Sequence, residues 1–486
     1  MILTLDLGTS TTKAVVWDAD GPRARGRARL ETSYPAADRA EQDPGSWWPS
    51  VVAACAEARA DSPDVFDAVE AVGFAAARQT FVPVTAGGEP LGPAIVWSDR
   101  RAGVEADALA EVLGGVAAAR RRTGIVLDGS AVAAKAAWLA AYDPDRLAAS
   151  RWLLTPRDLI VWRMTGEVAT DLTMVSAAGL SDSSGELVPE LREATGDRIP
   201  PALQPVAVAG SLDRAPAAEL RLPVGVPVCI GAGDRACEML GTAAASRPMV
   251  SWGTTANVSL LVDVYPDPPP EGVIVTTPAS EGWLLEGGLS AAGSLITWLS
   301  ALTGLDPAAL MHRAASSPAG AGGAVALPWF GGARAPWWRA GARGAFVGLS
   351  FDHDAGDLAR AAIESVAWEV RRCLVALGAI PATGAVAAAS LALTGSDGRT
   401  DPWPQILAAV TGLPGVRRRS GQAASAGAAL LAAIALGSPY DLDRLDPVVD
   451  TVEPDPPAVA RYAELRASAD AAADAVVALG DGPGAP

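Results

Sequence analysis

Residues 4–17 read TLDLGTSTTKAVVW, and residues 251–260 read SWGTTANVSL. Each runs as a strand, a tight turn of Gly and small hydroxyl residues, and a second strand. That shape gathers backbone N–H groups and hydroxyls around a phosphate. Two such hairpins half a chain apart suggest a duplicated fold that grips one nucleotide from both sides. The first hairpin adds Asp6 at its strand end, placed to hold a metal ion, and Lys13, placed to meet a phosphate as a point charge. ATP is the expected ligand.

At 486 residues, half of them hydrophobic, the chain exceeds one ordinary core, and two large domains are expected. A net charge of −17 argues against nucleic acid or an anionic membrane as partner. The four cysteines lie in apolar stretches without a C-x-x-C pair, as buried thiols of a reducing cytoplasm would. The N-terminus enters a strand directly, with no basic leader. The longest apolar run, Ala423–Leu436, is too short for a bilayer and reads as a core helix. With only His312 and His353, histidine metal sites and a Ser-His-Asp triad are disfavoured, so a general base is expected to be a carboxylate.

Strands are expected at 2–6, 13–18, 25–31, 69–74 and 81–84, and helices at 46–60, 100–113, 132–142 and 157–164. The Pro-rich stretch 182–225 reads as loop near a domain junction, and a strand at 226–231 as the start of the second half. A long helix over 356–377, a strand over 390–394, helices over 402–411 and 423–436, and a last helix with a Gly-Pro end follow. Three strands with helices, occurring twice around a cleft, form an actin-like or ribonuclease-H-like α/β plan.

The strand at 226–230 runs into Gly231-Ala-Gly-Asp234, which sets Asp234 at a strand end opening a helix. A carboxylate there is placed to take the proton of an attacking hydroxyl; alternatively, it caps the helix. Arg78-Gln79 and Trp97-Ser-Asp99-Arg100 interrupt apolar strands with polar groups suited to a polyol. The alternative is a salt bridge of Asp99 with Arg100 or Arg101. Thr394-Gly-Ser-Asp-Gly-Arg-Thr400 is either an adenine-side turn or a plain strand-to-helix loop.

Taken in order, DLGTSTTK (6–13), EQDPGSWW (41–48), PAIVWSDRR (93–101), LTPRDLIVWRMTGEVATD (154–171), GAGDRACEMLG (231–241), GTTANVS (253–259), ARGAFVGL (342–349), WPQILAAVTGLP (403–414) and SAGAALLAA (425–433) resemble the FGGY carbohydrate kinases. The resemblance implies two ribonuclease-H-like (actin-like ATPase) domains, 1–242 and 243–486, with the active site in the cleft between them. It implies phosphoryl transfer from ATP with Mg²⁺ to a hydroxyl of a sugar or polyol, a ketose such as xylulose first. Glycerol or another polyol and an aldonate are alternatives within the family; a sugar-sensing pseudokinase and an actin-like ATPase are alternatives outside it. Asp234 matches the catalytic base and Asp6 the residue that organises magnesium. Thr9, Ser10 and Lys13 match the first phosphate hairpin, and Gly253, Thr254 and Thr255 the second. Gly293, Gly395 and Ser396 fall on the nucleotide side, and Arg78, Gln79, Trp97, Asp99 and Arg235 on the substrate side. A cytoplasmic enzyme, often a homodimer, is the family's expectation.

The chain departs from the family at Gly395-Ser-Asp-Gly398, where Gly-Gly-Gly is usual. Arg78-Gln79 is similar to the Arg-Glu pair of glycerol kinases, but their Tyr aligns with Ser130. Arg78 and Arg235 together suggest a cationic pocket favouring an acidic sugar, unless Arg235 pairs with Glu238 one helical turn on.

Overall fold

The computed structural model describes residues 1–244, 247–382, 389–395 and 401–480. Two seven-stranded sheets organise them. The first contains β1 (Ile2–Leu7), β2 (Thr11–Asp18), β3 (Gly21–Arg29), β4 (Ala71–Ala76), β5 (Val208–Ser211), β6 (Pro227–Cys229) and β7 (Ala232–Gly233). Its order is β5-β6-β4-β1-β2-β3, with β7 also beside β4. The second contains β8 (Met249–Trp252), β9 (Ala256–Val262), β10 (Ile274–Thr276), β11 (Trp283–Leu289), β12 (Leu391–Thr394), β13 (Gly415–Arg418) and β14 (Val448–Val452), in the order β10-β11-β9-β8-β12-β13-β14.

The sheets repeat one plan. Antiparallel β1-β2-β3 continues into parallel β4 and β6, as antiparallel β8-β9-β11 continues into parallel β12 and β13. β1 and β4 are buried along their whole length, as the central strands of covered sheets are, and β1 is apolar but for Thr4 and Asp6.

Helices cover the sheets: α1 (Trp47–Asp61), α2 (Val132–Tyr142), α3 (Pro156–Thr165), α4 (Asp234–Gly241), α5 (Gly293–Thr303), α6 (Ala355–Ala376), α7 (Trp403–Thr411), α8 (Ala423–Ala435) and α9 (Pro456–Gly480). α3 starts in a Thr155/Asp158 capping box and stops at Gly166 in the left-handed region. The expected strand at 226–231 forms as β6 but belongs to the first sheet, paired with β4, rather than opening the second half. The stretch 182–225 contains two short helices and the edge strand β5.

α8 crosses between the halves of the chain. Its Ala426, Ala429, Ala432 and Ala433 pack with Ile2, Val15, Trp17 and Ala71 of the first sheet. Ser425 Oγ lies 2.6 Å from Thr4 Oγ1 and accepts the Trp17 indole N–H at 2.8 Å. On its other side α8 meets α4. A Cβ at Gly427 would lie 2.0 Å from the Cys237 carbonyl oxygen, and one at Gly241 2.0 Å from that of Ala423. Glycine at both crossing points is what lets these two backbones touch.

Candidate active site

The two hairpins face one cleft of about 660 Å³. Asp6 and Lys13 are direct cross-strand partners in β1 and β2, so their side chains share a face. Lys13 Nζ sits 3.1 Å from Asp6 Oδ2. Attraction to Asp6, against burial, holds the Lys13 ammonium above its ordinary pKa, which keeps it cationic. The second hairpin has Ser251 and Asn257 at a cross-strand pair. Its turn is braced from behind: Gly293 N–H donates to Gly253 O at 2.9 Å and Ala292 N–H to Thr254 O at 2.9 Å. Gly293, expected to approach the nucleotide, therefore supports the hairpin and is absent from the cleft lining.

Asp234 is the first residue of α4, directly after β7. A chain of buried groups fixes that junction. Arg157 is fully buried and donates to Ile230 O at 2.8 Å and to Asp171 Oδ2 at 2.7 Å. Asp171 Oδ1 accepts the Thr173 N–H at 2.8 Å, and Thr173 Oγ1 accepts the Gly233 N–H at 2.8 Å. The 154–171 block thus holds the backbone that presents Asp234. Asp234 Oδ1 accepts the Arg235 N–H at 2.8 Å and lies 3.3 Å from Arg78 Nε. Among the described residues no hydrogen bond reaches Oδ2.

Arg78 spans the cleft. Its Nη1 and Nη2 donate to Glu286 Oε1 and Oε2 of β11 at 2.7 and 2.6 Å. Glu286 also accepts the Thr276 hydroxyl at 2.5 Å. Burial raises the Glu286 pKa, but Arg78 outweighs it and the carboxyl is held below its ordinary value. Arg235 pairs with Glu238, which accepts the Ser251 hydroxyl at 2.9 Å; burial pushes the Glu238 carboxyl up. The helical-pair alternative therefore describes Arg235, which still lines the cleft. The Asp234 side chain is 29% exposed, against 14% for Glu238 and 3% for Glu286, so it is the most reachable of these three carboxylates.

On the substrate side, Gln79 has a left-handed backbone (φ 64°) and donates to Ala177 O at 2.9 Å. Trp97 Nε1 donates to Thr9 Oγ1 at 2.9 Å, joining this wall to the phosphate turn. Asp99, expected either on the substrate side or in a salt bridge with Arg100 or Arg101, takes the second arrangement. It is fully buried, pairs with Arg101 at 2.7 Å and accepts the Ala40 N–H at 2.7 Å, so its oxygens brace the wall from behind. Lys135, also fully buried, donates to Val96 O at 2.8 Å and Gln79 O at 3.3 Å.

Of the expected residues, Asp6, Thr9, Ser10, Lys13, Arg78, Gln79, Trp97, Asp234, Arg235, Gly253, Thr254, Thr255 and Gly395 all line the cleft. Asp99 and Gly293 do not, and Ser396 lies outside the described residues. Sequence reading missed Asp128, Glu286, Arg334 and Trp338, which also line it. Only a charged residue inside an apolar strand, Glu286 in WLLEGGL, was visible as a signal.

Asp6 is the carboxylate expected at a magnesium ion. Among the described residues no three His, Cys, Asp or Glu side chains gather at one point. A single carboxylate beside phosphate-binding turns suits Mg²⁺, which is commonly held by one or two carboxylates plus phosphates and waters. The residues fit a metal that arrives with the nucleotide. No helix among the described residues is long and apolar enough to cross a membrane.

Comparison with known proteins agrees with this geometry. Residues 1–241 match the N-terminal domain, and residues 249–436 the C-terminal domain, of the FGGY family of carbohydrate kinases. The chain is 32% identical over 467 residues to a glycerol kinase of Leptothrix cholodnii, covering 92% of each chain. It is 29% identical over 480 residues to a xylulose kinase of Klebsiella pneumoniae, covering 96% of this chain and 97% of that one. The crystal structure of a gluconate kinase from Lactobacillus acidophilus superposes with a TM-score of 0.87 at 25% identity, covering 98% of both chains. With both halves matched in order and the two sheets duplicated around one cleft, the chain belongs to the FGGY family of carbohydrate kinases.

Proposed function

We propose that the cleft transfers the γ-phosphoryl group of ATP to a hydroxyl of a small sugar or polyol, with Asp234 as general base. The observation that carries this reading is the placement of Asp234: the most reachable of its neighbouring carboxylates, lining the same cleft as both phosphate hairpins. Arg78 and the Arg235 N–H occupy Oδ1, which leaves Oδ2 to receive the proton. As the substrate oxygen bonds to phosphorus, the bond from phosphorus to the ADP oxygen breaks and the hydroxyl proton passes to Asp234. Such transfer depends on in-line positioning and charge neutralisation more than on covalent chemistry.

The two hairpins supply backbone N–H groups and hydroxyls for the phosphates, and Lys13 supplies a fixed positive charge. Asp6 would hold a magnesium ion arriving with the nucleotide, which would supply charge neutralisation at the phosphates. Gln79 and Trp97 form the wall for the carbon chain. Glycerol, xylulose and gluconate are the substrates that relatives' names carry. A ketose such as xylulose, the expectation from sequence, therefore stands in the assay beside polyols and aldonates. The four thiols are free and buried, which suits a reducing cytoplasm.

The test is ADP release with Mg²⁺-ATP across ketoses, polyols and aldonates, against a blank without sugar. Wild type is expected to respond to at least one class. Asp234→Asn is expected to lose about 10²–10⁴-fold in kcat while ATP still binds. Unchanged turnover in that variant would refute the assignment of the base.

A further inference from the structure

Most cations of the cleft are already partnered. Lys13 faces Asp6, Arg78 faces Glu286 and Asp234, and Arg235 faces Glu238. Arg334 differs. It stands in a tight turn in which the Trp337 and Trp338 N–H groups both donate to its carbonyl at 2.8 Å. Its guanidinium carbon lies 5.9 Å from the Trp97 ring centroid and 5.8 Å from that of Trp338, so it is held by aromatic faces from both halves of the chain. Its Nε is buried without a partner, and among the described residues its guanidinium makes no hydrogen bond or ion pair. Gly288 leaves it room: a Cβ there would lie 3.4 Å from Nη1.

A guanidinium carries five donors; the buried Nε is left unmet, which is costly, while the side chain as a whole is half-buried at the cleft wall. The surroundings say what acceptor is missing. Burial first, and then repulsion from Arg100, lowers the Arg334 pKa to about 10, and attraction to Asp128 is the largest influence opposing them. Asp128 is itself engaged by the Ser130 N–H at 2.8 Å and by the Ser130 hydroxyl. Arg78, Arg100 and Arg334 stand against Glu286, Asp234 and Asp128, so the charges balance and what remains is a guanidinium whose donors have no partner among the described residues. A carboxylate meets such a fork with two parallel hydrogen bonds, where a lone hydroxyl meets one donor.

We infer that Arg334 is a specificity-determining residue that binds a carboxylate of the substrate, and that the enzyme's preferred acceptor class is a polyhydroxy acid of the aldonate type. This rests on the kinase reading above. The carboxylate meets the Arg334 fork, the carbon chain lies along Trp97, and the hydroxyl to be phosphorylated is presented to Asp234.

The experiment compares kcat/KM for gluconate with that for neutral ketoses and polyols of equal chain length, in wild type, Arg334→Met and Arg334→Lys, with melting curves for each. Wild type is expected to prefer the acid. Arg334→Met is expected to lower the acid-to-neutral ratio about 30-fold or more, chiefly through KM, and Arg334→Lys to recover part of it. Preference of wild type for neutral compounds, or a ratio unmoved in folded Arg334→Met, overturns the inference and leaves the kinase reading standing. ADP release with none of the compounds overturns both. The wild-type ratio decides the matter even where a variant fails to fold.

Discussion

Lys135 shows how a buried charge serves the wall of the pocket. Its ammonium ties the carbonyls of Val96 and Gln79 together, so the segments carrying Gln79 and Trp97 keep their spacing. Asp99, Asp128, Arg100 and Arg101 surround it, and burial lowers its pKa from 10.5 to about 7. Between those values the unfolded chain holds a proton that the folded chain lacks. Stability therefore rises with pH across that window, by at most about 1.4 kcal/mol per unit, and the full cost of burying the charge is present below pH 7. Lys135→Met removes this slope and takes from Gln79 O its donor, at about 1–3 kcal/mol, while Val96 O keeps the Asp99 N–H at 3.0 Å. Urea midpoints at pH 6.5 and 8.5 are expected to show wild type gaining on the variant as pH rises; parallel pH dependence would refute the assignment. The same neighbourhood shows what sequence conveys at this scale. Asp6, Lys13 and Asp234 were legible because strand ends next to Gly turns leave few places for a charged side chain to point. Asp99 was left between two readings because a carboxylate near a Trp reads alike whether it faces the cleft or Arg101. Glu286 was not legible as a site residue because its partner Arg78 lies 208 positions away.

Among the elements, the α4–α8 crossing carries the heaviest demand. α4 presents Asp234 at its first residue and touches α8 backbone to backbone at Gly241 and Gly427. Any side chain at Gly427 must drive the helices apart, since its Cβ would fall 2.0 Å from the Cys237 carbonyl oxygen. Gly427→Leu is expected to destabilise the protein by about 1–3 kcal/mol or more and to lower kcat, because the displaced helix carries the base. Gly103→Ala, whose Cβ would meet nothing within 4 Å, is the matched control and should change the melting temperature little. A Gly427→Leu protein with wild-type melting and turnover would refute this account of the crossing. The elements themselves were largely legible: the helix over 132–142 forms at those bounds, and the long helix over 356–377 forms as Ala355–Ala376. What an Ala-rich run such as 423–436 does not reveal is its neighbour. Alanine on every face says that a helix is buried at close range, and only the assembled sheets show that the range is set by β1 and β4.

At the scale of the whole molecule, the duplicated sheets must stay in register for one cleft to serve two substrates. Few groups span them so directly as Arg78 and Glu286, a two-bonded ion pair from the end of β4 to the middle of β11. Further contacts join the halves, with Val275 N–H donating to Gly124 O at 2.7 Å and Thr277 N–H to Ser176 Oγ at 2.9 Å, but these do not touch Asp234. Arg78 does, at 3.3 Å, so the relation between the halves is transmitted to the base. With side chains only 17% and 3% exposed, removing either partner leaves the other charge withdrawn from water. Arg78→Met and Glu286→Met are each expected to cost about 3–5 kcal/mol, while the double variant falls short of their sum by about 1 kcal/mol or more. Both single variants should also lower kcat, because Glu286→Met frees Arg78 to move toward Asp234 and Arg78→Met removes the group that occupies Oδ1. Denaturant titrations of the four proteins, with ADP release measured on each, check the two halves of this prediction. Additive costs would show that the pair does not couple the sheets, and wild-type turnover in Glu286→Met would show that the coupling never reaches the base.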